Sequence, residues 1–151
     1  MSHTHTCLNY HVIFGTKGRA QSIRPEVRLD LCRYLGGILK SEGAVPLEIN
    51  AVADHVHLLI RLPPTVLLAD LLRALKANSS KWLNDTRYPR RSFAWQQGYS
   101  AFTVSQSQVA RVAAYVRDQE AHHRKMTYRE ELIALFERNG VKYDERYLPR
   151  L

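Results

Sequence analysis

The segment from His55 to Leu62 constrains the fold more than any other part of the 151-residue chain. Its apolar side chains recur at every second position, at Val56, Leu58, Ile60 and Leu62. Successive side chains of a β-strand point to opposite faces of the sheet, so this spacing predicts a strand with one buried face. Two prolines follow directly and end the strand, because proline has no amide hydrogen to donate to a ladder.

The rest of the chain alternates between strand and helix periodicity. Apolar residues at every second position predict strands at residues 7–14, 47–53, 55–62 and 99–104. Apolar residues three or four positions apart predict helices at 24–41, from a cap at Thr65 through Trp82, from a cap at Ser105 or Ser107 through Val116, and at 128–138. The order of the first six elements predicts an α+β fold, a ferredoxin-like antiparallel sheet with its helices packed on it. We expect one domain over residues 1–151, with a C-terminal helix and tail from about 127.

Composition excludes several classes of protein. No apolar run approaches the roughly 20 residues of a membrane-spanning helix, so a transmembrane protein is not expected. The first eleven residues lack the basic and apolar regions of a secretory signal. Two cysteines, Cys7 and Cys32, cannot form a disulfide framework and indicate reduced thiols in a cytoplasmic protein.

The positive charge of the chain is unevenly distributed. Lysine and arginine number 22 against 14 acidic residues, for a net charge of +8. Residues 73–91 contain six basic residues and a single acidic one, Asp85. Such clustering is typical of proteins that bind a phosphate backbone, although a solvated helix face in a basic protein has the same pattern. The candidate DNA contacts are Lys76, Lys81, Arg90 and Arg91, together with Arg111 further along the chain.

Two histidines share the face of the predicted third strand that its apolar residues leave free. His55 and His57 are unsuited to a core, because each desolvated imidazole needs a hydrogen-bond partner. Two adjacent imidazoles are well suited to holding a metal ion. His11, on the first strand, could join such a cluster. A pair of half-exposed histidines near a strand end is the alternative interpretation.

A row of polar residues lies along one face of the predicted third helix and continues beyond it. Arg111, Tyr115 and Gln119 are four residues apart and share a helix face, with His122 and His123 a turn further on. A tyrosine hydroxyl beside an amide that completes a metal site could act as a nucleophile. An amphipathic helix with a tyrosine at the edge of its apolar stripe is the alternative. The residues themselves do not assign a role to His122 or His123.

In order along the chain, five segments resemble single-tyrosine transposases of the HUH superfamily, the small type that mobilises bacterial insertion sequences as single-stranded DNA. They are YHVIFGTK at 10–17, DHVHLL at 54–59, LKANSS at 75–80, WQQGYSAFTVS at 95–105 and YVRDQEAHH at 115–123. Each is weak alone, whereas the ordered set is specific.

The resemblance implies roles for particular residues. The histidine motif of the family falls on His55 and His57, its nucleophile on Tyr115 and its third metal ligand on Gln119. It implies an HUH endonuclease that uses Mg2+ or Mn2+ to cleave and rejoin DNA at element ends through a 5′-phosphotyrosine, after recognising imperfect subterminal hairpins. It further implies a homodimer in which the tyrosine helix of one subunit completes the metal site of the other.

Two other functions remain open at this stage. One is a non-catalytic protein that binds DNA hairpins, such as a domesticated relative or a repressor. The other is a replication initiator or relaxase with the same chemistry, which the absence of an added helicase or second domain disfavours.

Overall fold

The computed structural model describes residues 3–148, which form one four-stranded sheet with helices on both faces. The strands are β1 (Leu8–Gly15), β2 (Val45–Ala51), β3 (His55–Leu62) and β4 (Ser100–Val104). The helices are α1 (Pro25–Ser41), α2 (Leu68–Thr86), α3 (Val109–Arg117), α4 (Gln119–His122) and α5 (Tyr128–Arg138). The strand order is β2-β3-β1-β4 and every pair is antiparallel, which confirms the predicted α+β, ferredoxin-like sheet. No helix within residues 3–148 is long and apolar enough to cross a membrane.

Side-chain alternation along β1 and β3 separates the molecule into two layers. Val12 and Phe14 of β1 point into the main core, where α1 and α2 cover the sheet with buried leucines such as Leu31 and Leu35. Ile13 points to the other face and packs against α5, while α3 packs over Leu59 of β3. The two predicted histidines lie on this second face, because their positions alternate with the buried apolar residues of β3.

Two helix boundaries differ from those predicted. Thr65 does not cap α2: it lies in a turn closed by Val66 N–H and Pro63 O at 3.2 Å, and α2 begins only after Leu67. The predicted third helix is interrupted at Asp118, whose φ of −93° and ψ of 22° separate α3 from α4. The side chain of Asn50 provides the reason, because its Nδ2 donates to the carbonyls of residues 116 and 117 and caps the end of α3.

A buried hydrogen bond connects α2 to the segment before β4. The indole nitrogen of Trp95 donates to Ser79 Oγ at 2.9 Å, and the ring meets Phe14 and Phe93 edge-on, each at 4.8 Å between centroids. Ser79 is 0% exposed, so water cannot replace a lost partner.

We therefore expect Ser79→Ala to lower the free energy of unfolding by about 1–3 kcal/mol, because it leaves the Trp95 N–H unpaired. Ser80→Ala is the matched control, since the Ser80 hydroxyl donates to Ala77 O at an exposed position. Urea unfolding of the three proteins measures the difference. Equal stability of the two variants would contradict the assignment.

Candidate metal and tyrosine site

The two histidines of β3 lie completely buried on the α3/α5 face of the sheet. His55 and His57 are each 0% exposed, and their Nε2 atoms lie 3.4 Å and 3.1 Å from the same oxygen, Glu131 Oε1. His123 Nε2 approaches that oxygen to 3.0 Å. The ligand atoms of these four residues all lie within 4.8 Å of one another, so the group could hold a metal ion.

The hydrogen-bond partners of the two histidines fix how each ring is presented. His55 Nδ1 lies 2.7 Å from Asp54 Oδ1, and because an ionised carboxylate only accepts, His55 donates from Nδ1. In the neutral form of the ring, which is the form that binds a metal, Nε2 then carries a lone pair towards the cluster. Within residues 3–148 it is the single buried side-chain nitrogen or oxygen without a hydrogen-bond partner. A buried lone pair that faces a carboxylate is unfavourable as it stands, and a cation between the two atoms would satisfy both.

His11 contacts the Nδ1 atom of His57, as Asp54 contacts the Nδ1 atom of His55. His11 Nε2 lies 2.8 Å from His57 Nδ1, and the rings stack with centroids 5.0 Å apart. Burial lowers the pKa of His11 to about 3 and that of His57 to about 4, so both rings are neutral at pH 7. A neutral imidazole has one donor and one acceptor nitrogen, so His11 can serve either tautomer of His57. His57 can therefore donate to Glu131 or, after exchanging its tautomer, offer Nε2 to a metal.

Glu131 is a candidate metal ligand to which the sequence alone assigns no role. Its side chain is 1% exposed. Burial alone would raise its pKa, but hydrogen bonds from His123 and His57 and the close approach of His55 hold that pKa far below its ordinary value. Burial likewise acts to lower the pKa of His55, whereas the hydrogen bond of Asp54 and the negative charges of Asp54 and Glu131 raise it overall. The site is therefore built to accept positive charge.

A signal in the sequence could have identified Glu131. Helix α5 begins with a capping box in which Thr127 and Glu130 exchange hydrogen bonds, so acidic residues are ordinary there. Glu131, however, lies among the buried apolar residues of the helix, Tyr128, Leu132, Leu135 and Phe136. A carboxylate on a buried helix face requires partners, and that requirement is the signal.

Tyr128 closes the cluster on the side of His55. Its ring stacks on the imidazole with centroids 4.0 Å apart and an interplanar angle of 3°. Gly15, directly opposite His55 in the ladder, makes room for this contact. A Cβ at Gly15 would lie 2.9 Å from the Tyr128 ring and 2.7 Å from Gln96 Oε1, so any larger residue would displace both.

Tyr115 reaches the same cluster from α3. Its hydroxyl donates to Glu131 Oε2, and its ring stacks on His122 with centroids 4.5 Å apart. Burial, followed by the charge and hydrogen bond of Glu131, raises the pKa of the phenol above its ordinary value. The helix that carries it is bound to its own sheet by Asn50 and by the ion pair of Arg117 with Glu48 at 3.3 Å. Tyr115 and the candidate metal ligands thus meet within one chain.

The structure places Gln119 beside the cluster, with its hydrogen bonds directed away from the β3 histidines. Gln119 is 0% exposed; its Oε1 lies 3.0 Å from His123 Nε2, and its Nε2 donates to the Tyr115 carbonyl at 3.1 Å. His123, whose role the sequence left open, is therefore brought into the cluster together with Gln119. The interruption at Asp118 turns both side chains inward.

The predicted DNA contacts are divided between the two layers. Four of them lie on α2 or the loop after it, in the layer on the opposite face of the sheet from the histidines: Lys76, Lys81, Arg90 and Arg91. Lys76 donates to the carbonyls of Gln96 and Gly98, at 2.6 Å and 2.7 Å. Lys81 and Arg91 both pair with Asp85 at 2.7 Å. Arg111 instead lines a cavity beside Tyr115.

The site predicts that Mn2+ stabilises the protein through Glu131. At about 100 times its Kd, an ion that binds only the folded state adds about 2.7 kcal/mol, which corresponds to a rise in Tm of about 5–10 °C for a domain of this size. We expect this rise in the wild type and in Glu137→Gln, which removes an exposed carboxylate from the same helix. Glu131→Gln should lose most of it.

Thermal unfolding with Mn2+, with Mg2+ and with chelator measures the effect without reference to activity. An equal shift in Glu131→Gln and wild type would exclude Glu131 as a ligand. No shift in the wild type with either ion would contradict the metal site itself.

Known proteins resemble this chain over most of its length. The transposase of insertion sequence element IS200 from Salmonella typhimurium is 29% identical over 125 residues, which cover 79% of this chain and 81% of that protein. The ISDra2 transposase TnpA from Deinococcus radiodurans is 30% identical over 118 residues, covering 74% and 84% of the two chains.

Two solved structures share the fold. A crystal structure of a candidate transposase from Deinococcus radiodurans superposes with a TM-score of 0.64 at 27% identity, over 79% of this chain and 95% of that one. A REP-associated tyrosine transposase bound to a REP hairpin gives a TM-score of 0.58 at 12% identity, over 82% and 74% of the two chains, which shows a common fold. The family described as "Transposase IS200 like" matches residues 4–119. This chain belongs to the IS200-like transposase family.

Proposed function

We propose that this protein is a transposase that cleaves and rejoins single-stranded DNA at element ends through a 5′-phosphotyrosine on Tyr115. The observation that carries the proposal is the position of the Tyr115 hydroxyl, which donates to Glu131 beside His55 and His57. A phenol that reaches a buried cation site has the arrangement needed for attack on a metal-bound phosphate. Membership of the IS200-like transposase family supports the reaction class.

The side chains around the buried carboxylate of Glu131 are suited to binding a divalent metal ion. His55, His57, His123 and Glu131 would hold it, with Gln119 adjacent. Three imidazole nitrogens and one carboxylate favour Mn2+ over Mg2+, because Mg2+ prefers ligands that are all oxygen. When bound, the ion would polarise the scissile phosphate and stabilise the charge that develops on it.

The covalent step uses groups of this chain. The Tyr115 oxygen attacks phosphorus in line with the departing 3′ oxygen, so a phosphorus–phenol bond forms as the bond from phosphorus to O3′ breaks. Glu131 Oε2, which already accepts the hydrogen bond of the phenol, is the nearest acceptor for its proton. The leaving oxygen takes up a proton and becomes a free 3′-hydroxyl. The new phosphodiester keeps the free energy of the old one, so attack by a 3′-hydroxyl reverses the step without a nucleotide cofactor.

Recognition of subterminal hairpins is the second part of the proposal. It is supported by the fold shared with a tyrosine transposase bound to a REP hairpin and by the net charge of +8. The residues of the basic segment at 73–91, above all the exposed Arg90, are proposed to contact the DNA backbone. Their contribution should weaken with added salt.

We expect Tyr115→Phe to abolish cleavage and to leave hairpin affinity within about twofold of the wild type, because one hydroxyl is lost and the ring remains. Tyr34→Phe is the matched control, since the ring of Tyr34 stacks on Trp82 in the other layer. A denaturing gel of 3′-labelled single strands, with Mn2+ or chelator and with duplex controls, would detect the covalent adduct.

The outcomes of this assay are distinct. An adduct that forms with Tyr115→Phe would assign the nucleophile to another tyrosine. Tight binding of hairpins by the wild type without an adduct in Mn2+ or Mg2+, across the palindromes that flank the coding region, would favour a non-catalytic hairpin-binding protein.

The homodimer implied by the family resemblance stays a prediction, and the sharing of its active sites can be tested directly. Tyr115→Phe and His55→Ala each remove an essential group. If sites are shared between subunits, a mixture of the two variants regains cleavage, because the tyrosine of one subunit meets the histidines of the other. A mixture that stays inactive would instead place each complete site within one chain, in which Asn50 binds α3 to its own sheet. Restored cleavage would show that α3 crosses between subunits.

A further inference from the structure

A cavity of about 340 Å³ lies beside Tyr115, and His123 is not among the residues that line it. Strand β4 and helices α3 and α5 contribute most of its lining, and Tyr115 and His11 line it as well. Its walls include the apolar side chains of Phe102, Val112 and Leu135. Its volume lies at the lower end of the range for small-molecule sites, about 300–1,000 Å³, which suits a single nucleoside.

The charges around the cavity select an anionic ligand. Arg111 and Arg138 contribute to its lining, and no lining residue is acidic. Neither arginine forms an ion pair within residues 3–148, in contrast to Lys81 and Arg91, which share Asp85. A flat apolar group next to a phosphate matches these walls: the ring packs against the aromatic and aliphatic side chains, and the guanidinium groups face the phosphate.

The chemistry of the cleavage step indicates which nucleotide of the DNA strand would lie in the cavity. The attacking phenol oxygen and the leaving O3′ lie on opposite sides of phosphorus, so the nucleoside on the 5′ side of the break lies across the phosphate from Tyr115. The nucleoside on the 3′ side is joined through O5′ and remains esterified to the tyrosine. A cavity walled by the tyrosine itself therefore lies next to the nucleoside that stays attached.

We propose that this cavity binds the base of the first nucleotide on the 3′ side of the scissile phosphate, with Arg111 and Arg138 on the phosphates next to it. This inference rests on the proposed function and adds a binding site to it. The base stays bound in the cavity as long as the phosphotyrosine exists, so the covalently attached strand keeps its position for rejoining. Phe102, on β4 opposite His11 in the ladder, forms the rigid wall of the site.

The first test removes the base from the DNA. Strands that carry an abasic residue on the 3′ side or on the 5′ side of the break are compared with the natural strand in single-turnover cleavage. We expect at least a tenfold lower rate for the 3′-side abasic strand, and a smaller loss for the 5′-side strand. Val112→Trp, which fills the cavity, should slow the natural strand and remove the difference between natural and 3′-side abasic DNA.

Ala110→Trp is the matched control, since Ala110 is exposed on the same helix and should preserve the full abasic effect. A second measurement does not require cleavage and does not depend on the folding of Val112→Trp. With Tyr115→Phe saturating a hairpin-bearing strand, 2-aminopurine on the 3′ side of the break should become at least threefold less accessible to acrylamide. The same base on the 5′ side should change less.

The results separate this inference from the proposed function. Cleavage of the natural strand with equal rates for both abasic strands would leave the transposase function in place and overturn the base site. A larger loss for the 5′-side strand, removed by Val112→Trp, would assign the cavity to the other nucleotide and overturn the inference. Absence of cleavage on every strand would count against the proposed function, and acrylamide protection would still decide the base site.

Discussion

The carboxylate of Glu131 is the interaction on which the arrangement of the site depends. It lies on α5, yet its oxygens contact His55 and His57 on β3, His123 after α4 and the Tyr115 hydroxyl on α3. A charge that is 1% exposed is tolerated only if donors or a cation surround it. The position of α5 and the geometry of the histidines are therefore determined together. The apolar contacts of α5 with Ile13 and Phe102 supply the burial that makes the carboxylate depend on its partners.

The parts of the site that the sequence predicts are those that local geometry determines. The alternation of β3 places His55 and His57 on one face whatever the rest of the fold does, and a slip of one residue would bury them in the apolar core. Helix α5 has the bounds that the sequence predicts, residues 128–138. The partnership of Glu131 with His57 joins residues 74 positions apart, and no periodicity encodes a contact of that range. The helix boundary at Asp118 was missed for a related reason, since the group that ends α3 is the side chain of Asn50 on β2.

The sheet register couples the helix that carries Tyr115 to the histidines of β3. Asn50 pairs with His57 across the β2–β3 ladder, and the same asparagine holds the end of the tyrosine helix. On the other side of β3, His57 pairs with Ile13, which packs against α5. One position in the sheet thus fixes the distance between the candidate metal ligands, the tyrosine and the helix that carries Glu131. A site on strands and on helices capped by strand residues is more rigid than a site on loops, and the proposed in-line attack requires such rigidity.

The count of charges in the sequence does not show where positive charge is available to DNA. In the segment at 73–91, Asp85 neutralises part of the charge of Lys81 and Arg91, and Lys76 is used by two backbone carbonyls. Burial also lowers the pKa of Lys76. Arg111 and Arg138 lie far apart in sequence and form no charge cluster there, but they meet at one cavity beside the tyrosine. A phosphate gains more from a cation without a carboxylate partner than from one already paired, because the paired cation must first give up its partner. The electrostatic preference for DNA is therefore expected to be strongest close to Tyr115, on the opposite face of the sheet from the most basic segment of the sequence.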